Sequence, residues 1–396
     1  MRHSIHRPSA RPLVAAAAVL GAIAALGGCA SPEAGPTGSG DPIKIGVDAA
    51  LTGYLSASSD IPFVEGVKLA VQSINDAGGV LGRQLDVSVV DDASDAGTGV
   101  SAATKLITQD RVDVLMGGSL SAQCSGVAPI ALSHQVPMTC IAPPPEDGAD
   151  YVFQVAAGLA PMLATQLGFA ASELGAKDIA FIFSQTPYGQ AGEAVTKALS
   201  GKFGLNVVFS EGVDANSSDL APLMAKIKDA SPDAVLDFLT GPAHIVEAKG
   251  AETAQLGVPI VQTTDVTSVF RQASDEYDDL YFLTLPPQAY PSIPDADLKA
   301  ANEAFAEAFD GDVDTIGQAA YGWDAVHILA AAMEQSQATT GPDLRDALES
   351  LTYQGALSQF AYSAEDHSGE KTVANPNSIA HFVDGELTVV YSAEGS

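Results

Sequence analysis

Residues 43–90 read IKIGVDAALTGYLSASSDIPFVEGVKLAVQSINDAGGVLGRQLDVSVV. The first run, 43–47, has the apolar content of a buried strand. Asp60 and Pro62 supply helix-start chemistry. Phe63, Val67, Ala70, Val71 and Ile74 follow at helical spacing and make one apolar face. Gly78-Gly79 stops that helix, because glycine takes the left-handed cap without a steric penalty. Residues 85–90 are the next strand. Strand, helix, strand is the unit of a right-handed crossover in a parallel sheet.

The rhythm continues downstream. A helix is expected over 100–109, a strand over 112–116, a helix over 126–133 and a strand over 137–141. It then restarts, with helices over 161–174, 188–203 and 244–255. Strands are expected at 179–183, 206–209, 234–239 and 259–262, and Leu220, Leu223, Met224 and Ile227 mark one more helix face. A strand at 280–283 and helices at 297–309 and 316–335 follow. Asp384-Gly385, between two apolar runs, predicts a hairpin turn. The same α/β build thus occurs twice without a short fixed repeat, so the expected class is two doubly wound parallel-sheet lobes. A length of 396 residues agrees with two domains.

Upstream, Arg2, Arg7 and Arg11 precede a stretch of apolar residues and glycine over 13–26. That stretch is short for a membrane span and suits a signal h-region. It ends in Leu26-Gly27-Gly28-Cys29, which resembles a bacterial lipobox. Residues 1–28 then read as a lipoprotein signal, with Cys29 lipidated. The other reading is a secretory signal with an incidental cysteine. Residues 29–42 are rich in Gly, Pro, Ser and Thr and read as a flexible tether. Cleavage would leave 368 residues and, with three arginines gone, take the formal charge from −31 to −34. Such an excess repels nucleic acid and anionic lipid, so neither is an expected partner. The remainder reads as a soluble body held outside the cytoplasm by lipid.

Ligands in open parallel sheets sit beyond the carboxyl ends of the strands. Two loops there, 50–56 and 117–122, carry small residues and hydroxyls, among them Tyr54, Ser119 and Ser121. They can offer N–H and O–H donors to a carboxylate, or they are glycine turns with serine caps. Tyr188 is either a ligand-stacking phenol or an aromatic covering a helix start. Asp265 either pairs with a ligand cation or caps a helix. The glycines at 78–82 follow a helix rather than a strand, so they are no dinucleotide fingerprint. Residues 117–121 lack the final glycine of a nucleophile elbow. The histidines show no metal-ligand spacing with a second histidine or cysteine, so no metal and no cofactor is expected. Cys124 and Cys140 form a disulfide or are two buried thiols. No paired histidine marks either as catalytic.

Residues 43–47, Leu51-Thr52-Gly53, 66–71 and 74–83 resemble the leucine/isoleucine/valine-binding protein family. So do Asp91-Asp92, 105–107, Asp110, Val112-Asp113, Gly117, Tyr188-Gly189 and Trp323-Asp324-Ala325-Val326. The resemblance covers nearly all of 43–390. It implies the extracytoplasmic solute-binding subunit of an ABC importer, whose two lobes are joined by three crossovers and close on the ligand. The crossovers would lie near 153–155, 281–284 and 351–355. One lobe would be 43–153 with 283–352, the other 154–282 with 353–396. Ser121 and Ala142 match positions that hold an amino-acid carboxylate. Tyr188 matches an aromatic of the second lobe, and Asp265 lies near the acidic partner of the ammonium. The ligand-binding set implied is Tyr54, Ser58, Ser119, Ser121, Ala142, Tyr188, Thr240, Asp265, Gln318 and Tyr321.

Two features depart from the family. Residues 142–145 read Ala-Pro-Pro-Pro where the family usually has threonine or serine, and proline has no backbone N–H to donate. Residues 240–242 lack the family's aromatic. A branched-chain amino acid leads as ligand, with an aromatic acid, an amide or another small organic solute as alternatives. The expected partners are that solute, a membrane permease and the lipid anchor. The rival functions are a ligand sensor feeding a signalling receptor and an extracytoplasmic α/β hydrolase. The hydrolase would need a nucleophile–base pair or a metal cluster.

Overall fold

The computed structural model describes residues 40–393, except 143–148, 157, 215, 310, 312 and 370–375. The signal at 1–28, Cys29, most of the tether and the prolines at 143–145 lie outside the described residues.

In the first sheet, β1 (Ile43–Ala49) is followed by α1 (Ile61–Asp76), β2 (Leu85–Asp91), α2 (Ala96–Lys105), β3 (Val114–Gly117), α3 (Ser121–His134), β4 (Met138–Cys140) and β5 (Val152–Gln154). These five strands run parallel in the order β2-β1-β3-β4-β5. In central β1 only Lys44 is exposed, whereas edge strand β2 alternates along its length. Helices on both faces bury a central strand completely; an edge strand keeps one wet face.

The second sheet begins after α4 (Leu159–Ser172). It takes in β6 (Asp178–Ser184), α5 (Pro187–Leu199), β7 (Asn206–Val213), α6 (Ala221–Asp229), β8 (Ala234–Phe238), α7 (Ala243–Ala254), β9 (Ile260–Gln262), α8 (Thr267–Ser274) and β10 (Leu280–Thr284). The chain then runs through α9 (Pro286–Ala289), α10 (Ala296–Ala308), α11 (Ile316–Ser336), α12 (Gly341–Ser350) and the small pair β11 (Thr352–Gln354) and β12 (Gln359–Ala361). It ends in the hairpin β13 (Ser378–Val383) and β14 (Glu386–Ser392). The sheet order is β14-β13-β10-β9-β8-β6-β7, with β13 antiparallel to β10 and β14 antiparallel to β13. Asp384 and Gly385 both have positive φ, 51° and 83°, as a two-residue turn with the sheet's own twist requires. The fold is therefore the expected one of two parallel-sheet lobes.

Pairing carries β5 through Gln154 and β10 through Thr284, so the changes of lobe expected at 153/154 and 282/283 fall inside those strands. Helix α11 returns to pack along α1. Their backbones nearly touch: a Cβ on Gly66 would lie 1.8 Å from the Ala319 carbonyl oxygen, and one on Gly322 would lie 2.1 Å from that of Phe63. Only glycine permits that approach.

Several elements differ from expectation. Helix α3 starts five residues earlier than its apolar spacing suggests, at Ser121. Helices α8 and α12 and the pair β11–β12 were not anticipated, being short and held by tertiary contacts rather than by a long periodic face. Asp60, expected to start α1, has helical φ and ψ and no capping hydrogen bond. Its side chain is turned inward and fully buried.

Candidate functional site

The carboxyl ends of both sheets face one cavity of about 280 Å³. Residues 54–59 follow β1, 119–122 follow β3, and Ile141 and Ala142 follow β4. From the second sheet come 186–188 after β6, 239–241 after β8 and 263–265 after β9. Gln318 and Tyr321 reach in from α11. All ten residues of the expected ligand-binding set line this cavity: Tyr54, Ser58, Ser119, Ser121, Ala142, Tyr188, Thr240, Asp265, Gln318 and Tyr321. Leu55, Ser59, Met162, Thr186, Leu239, Thr263 and Thr264 line it too and were not expected. Among the described residues the lining includes no Lys, Arg or His. The walls come close at one point, where a Cβ on Gly241 would stand 3.5 Å from the Ser58 hydroxyl.

Two helices start at the cavity. Leu120, the residue before α3, is extended and offers no side-chain cap, so first-turn N–H groups of α3 remain available to an anion. At α5 the Thr186 hydroxyl caps Gly189 N–H at 3.1 Å, with Pro187 in the first turn. This holds Tyr188 with its ring 4.8 Å from that of Phe238. Burial pushes the Tyr188 phenol well above its ordinary pKa. Tyr321 is raised by burial and then by the neighbouring Tyr188. Both phenols stay neutral and can donate and accept.

Asp60 lies behind the first wall. It accepts hydrogen bonds from Ala50 N–H at 2.8 Å and from the Ser119 hydroxyl at 2.5 Å, and Ser119 in turn contacts the Ser59 hydroxyl. A Cβ on Gly118 would come within 2.4 Å of Asp60, so that position has to be glycine. Burial raises the Asp60 pKa, against the pull of these hydrogen bonds. Asp48 and Asp92, also fully buried, stand nearby. Burial first, and then neighbouring carboxylates, push them to about 7 and about 6.

Asp265 lies behind the second wall and is nearly fully buried. It does not cap α8, whose N-cap is Val266. Its oxygens accept from Gly241 N–H at 2.6 Å and Val266 N–H at 2.7 Å, and His244 Nε2 is 3.6 Å away. His244 Nδ1 bonds Asp237 at 2.9 Å. Burial works against the imidazolium, but Asp237 and then Asp265 outweigh it and His244 is raised. Burial raises Asp265, and His244 pulls it back.

The histidine spacing shows no metal cluster, yet Asp237, His244 and Glu247 bring ligand atoms within 4.8 Å of one another. Part of their hydrogen bonding is taken by the protein, whereas His244 Nε2 and Glu247 Oε1 have no hydrogen-bond partner. Asp237 accepts from Thr263 N–H and pairs with His244, and Glu247 accepts from Gln262. Burial and then Asp237 hold the Glu247 pKa well above normal, so a proton balances part of the cluster's charge.

Cys124 on α3 and Cys140 at the end of β4 form a disulfide, both buried, with Cα atoms 6.5 Å apart. The bond ties the helix that begins at the cavity to the strand that leads into Ile141 and Ala142.

This chain belongs to the periplasmic binding protein family, whose profile matches residues 42–374. Membership implies a solute-binding protein placed outside the cytoplasm. The leucine-, isoleucine-, valine-, threonine-, and alanine-binding protein of Pseudomonas aeruginosa is 27% identical over 326 residues, 79% of this chain and 84% of that protein. The Leu/Ile/Val-binding protein homolog 3 of Brucella melitensis is 28% identical over 197 residues, and the match spans only about half of either protein: 49% of this chain and 53% of that one. Among solved structures, a leucine binding protein from Thermotoga maritima superposes with a TM-score of 0.74 at 20% identity, covering 89% of this chain and 99% of that one. A branched-chain amino acid transporter substrate binding protein from Streptococcus pneumoniae, solved with isoleucine, gives 0.71 at 21% identity, covering 89% and 100%. At these identities the structures speak for the fold.

Proposed function

We propose that this protein is an extracytoplasmic solute-binding lipoprotein of an ABC importer, anchored through Cys29. It takes a branched-chain amino acid or a related small organic solute in the cavity described above. The observation that carries this is the meeting of ten expected residues, from loops of both sheets and from α11, around one cavity. The relatives named for binding branched-chain amino acids support the ligand class. The two sheets form two lobes that close on the solute, since a ligand held by both walls favours the closed form. Contact between α3 and α5 across the cavity is what a closed arrangement requires. Free first-turn N–H groups of α3, with the Ser121 hydroxyl, suit a carboxylate. The apolar lining from Leu55, Met162 and Leu239 suits an aliphatic side chain. No chemistry on the solute is implied.

The test is a thermal-shift screen of the chain from Cys29 onward against leucine, isoleucine, valine, threonine, alanine, aromatic acids and amides, followed by calorimetry. A bound solute raises the melting temperature by mass action. A rise with leucine, isoleucine or valine that Ser121→Ala abolishes supports the reading. A rise with none of the panel refutes it.

A further inference from the structure

Hydroxyl hydrogens rotate to suit their partners, so a hydroxyl's role is set by what lies behind it. Ser119 has one hydrogen and two partners: Asp60, which accepts at 2.5 Å, and the Ser59 hydroxyl. An ionised Asp60 only accepts, so Ser119 donates to it. The Ser59 hydroxyl, which also faces Asp60, then donates to Ser119 or to Asp60 itself. Both hydroxyls have spent their hydrogens on the protein, and what they turn to the cavity is lone pairs.

We propose that Asp60 is a positioning residue that fixes the polarity of the Ser119–Ser59 hydroxyl pair, so that this part of the first wall selects a solute group presenting N–H donors, an ammonium above all. The proposal rests on the cavity being the solute site. The first wall then divides into two parts. The start of α3 offers donors to a carboxylate, and two positions away the serine pair offers acceptors to the amine. On the opposite wall the Thr263 and Thr264 hydroxyls are buried without a hydrogen-bond partner and can serve either polarity. Both Asp265 oxygens already accept backbone N–H groups, and His244 lies alongside. Asp265 is therefore poorly placed to be the sole counter-ion of an ammonium.

Ala50 N–H fixes the orientation of any amide at position 60. In Asp60→Asn the amide oxygen must face Ala50, which turns the NH2 group toward Ser119. Ser119 then accepts, donates on to Ser59, and Ser59 points its hydrogen into the cavity. One isosteric change thus inverts the pair. Protonating Asp60 on the oxygen facing Ser119 would do the same. The titratable groups facing Asp60 are Asp48 from β1, Tyr54 from the loop after β1 and Asp92 just after β2. All are acidic.

The test compares a matched pair of probes by calorimetry at pH 8: leucine, and 4-methyl-2-oxopentanoate, which replaces the ammonium-bearing carbon with a carbonyl acceptor. If another solute binds best in the screen, its own amine and keto or hydroxy counterparts are used. Asp60→Asn is expected to lower the ratio of leucine to keto-acid affinity at least tenfold, by weakening the first and strengthening the second. Ser59→Ala, which removes the terminal hydroxyl, should weaken the amine probe and leave the keto acid within about twofold. Ser121→Ala should weaken both probes alike. An unchanged ratio in a folded Asp60→Asn protein that still binds leucine overturns the polarity argument and leaves the site standing. Failure of every panel solute to bind the unaltered chain overturns the site and this inference with it.

Discussion

The two walls of the cavity each rest on a buried aspartate, and the two are balanced differently. Asp265 has His244 beside it and, beyond that, Asp237. Its negative charge sits next to a cation. Asp60 has hydroxyls, the backbone N–H groups of Ala50 and Ser119, and other carboxylates around it. The same side chain is therefore locked by charge on one side and poised by hydrogen bonding on the other. Compensated charge gives a rigid wall. Uncompensated charge gives a wall whose donors and acceptors depend on one proton.

The contrast breaks most severely at His244. Removing the cation with His244→Ala leaves Asp237 and Asp265 facing each other without it. Breaking a buried pair in this way costs about 3–5 kcal/mol, to be read from denaturant unfolding. A change under about 1 kcal/mol would mean that His244 is neutral and the second wall is not charge-locked.

The next effect concerns the first wall's frame. The disulfide closes a separation of 16 residues. In the chain-entropy account its loss, by reduction or in a Cys124→Ala, Cys140→Ala double variant, lowers stability by about 3 kcal/mol. The same unfolding experiment checks it. The Asp265 loop comes third. Asp265→Ala releases Gly241 N–H and leaves His244 without its second carboxylate. Affinity for a zwitterionic solute should fall by about 2 kcal/mol, and unchanged affinity in calorimetry would remove Asp265 from the site.

The last effect is on pH dependence and is spread over several groups. Asp48 and Asp324 hold their protons to about pH 7 in the folded chain and Asp92 to about 6, against 3.8 ordinarily. Between pH 4 and 7 the folded chain therefore binds more protons than the unfolded one, and its stability declines as pH rises through that window. His244, raised as well, acts in the same sense at the upper end. Acidification from pH 7.5 to 5 should stabilise the protein, visible as a higher melting temperature. Asp48→Asn should flatten the slope, and a melting temperature that falls on acidification would contradict the carboxylate account.

The lobes could be read from the sequence because their signals are local. The helical spacing from Phe63 to Ile74, the buried run at 43–47 and the turn at Asp384-Gly385 each lie within a few residues. The lining of the cavity was accessible mainly through family resemblance, since spacing alone left Ser119, Tyr188 and Asp265 with ordinary structural roles. Asp60 was misread for a physical reason. An aspartate two residues before a proline has the pattern of a cap, and what turns it inward is Ser119, 59 positions away. The Asp237–His244–Asp265 chain was invisible for the same reason, because its members lie on β8, on α7 and after β9.

The contact between α1 and α11 has an optical consequence. Trp323 is the only tryptophan in the sequence. It follows directly on Gly322, where α11 meets α1, and lies two residues beyond Tyr321 at the cavity. Its indole is 4.2 Å from the His327 ring, centre to centre. The chain thus carries a single indole, on the helix that reaches the cavity, so solute capture can be followed by tryptophan emission without a dye.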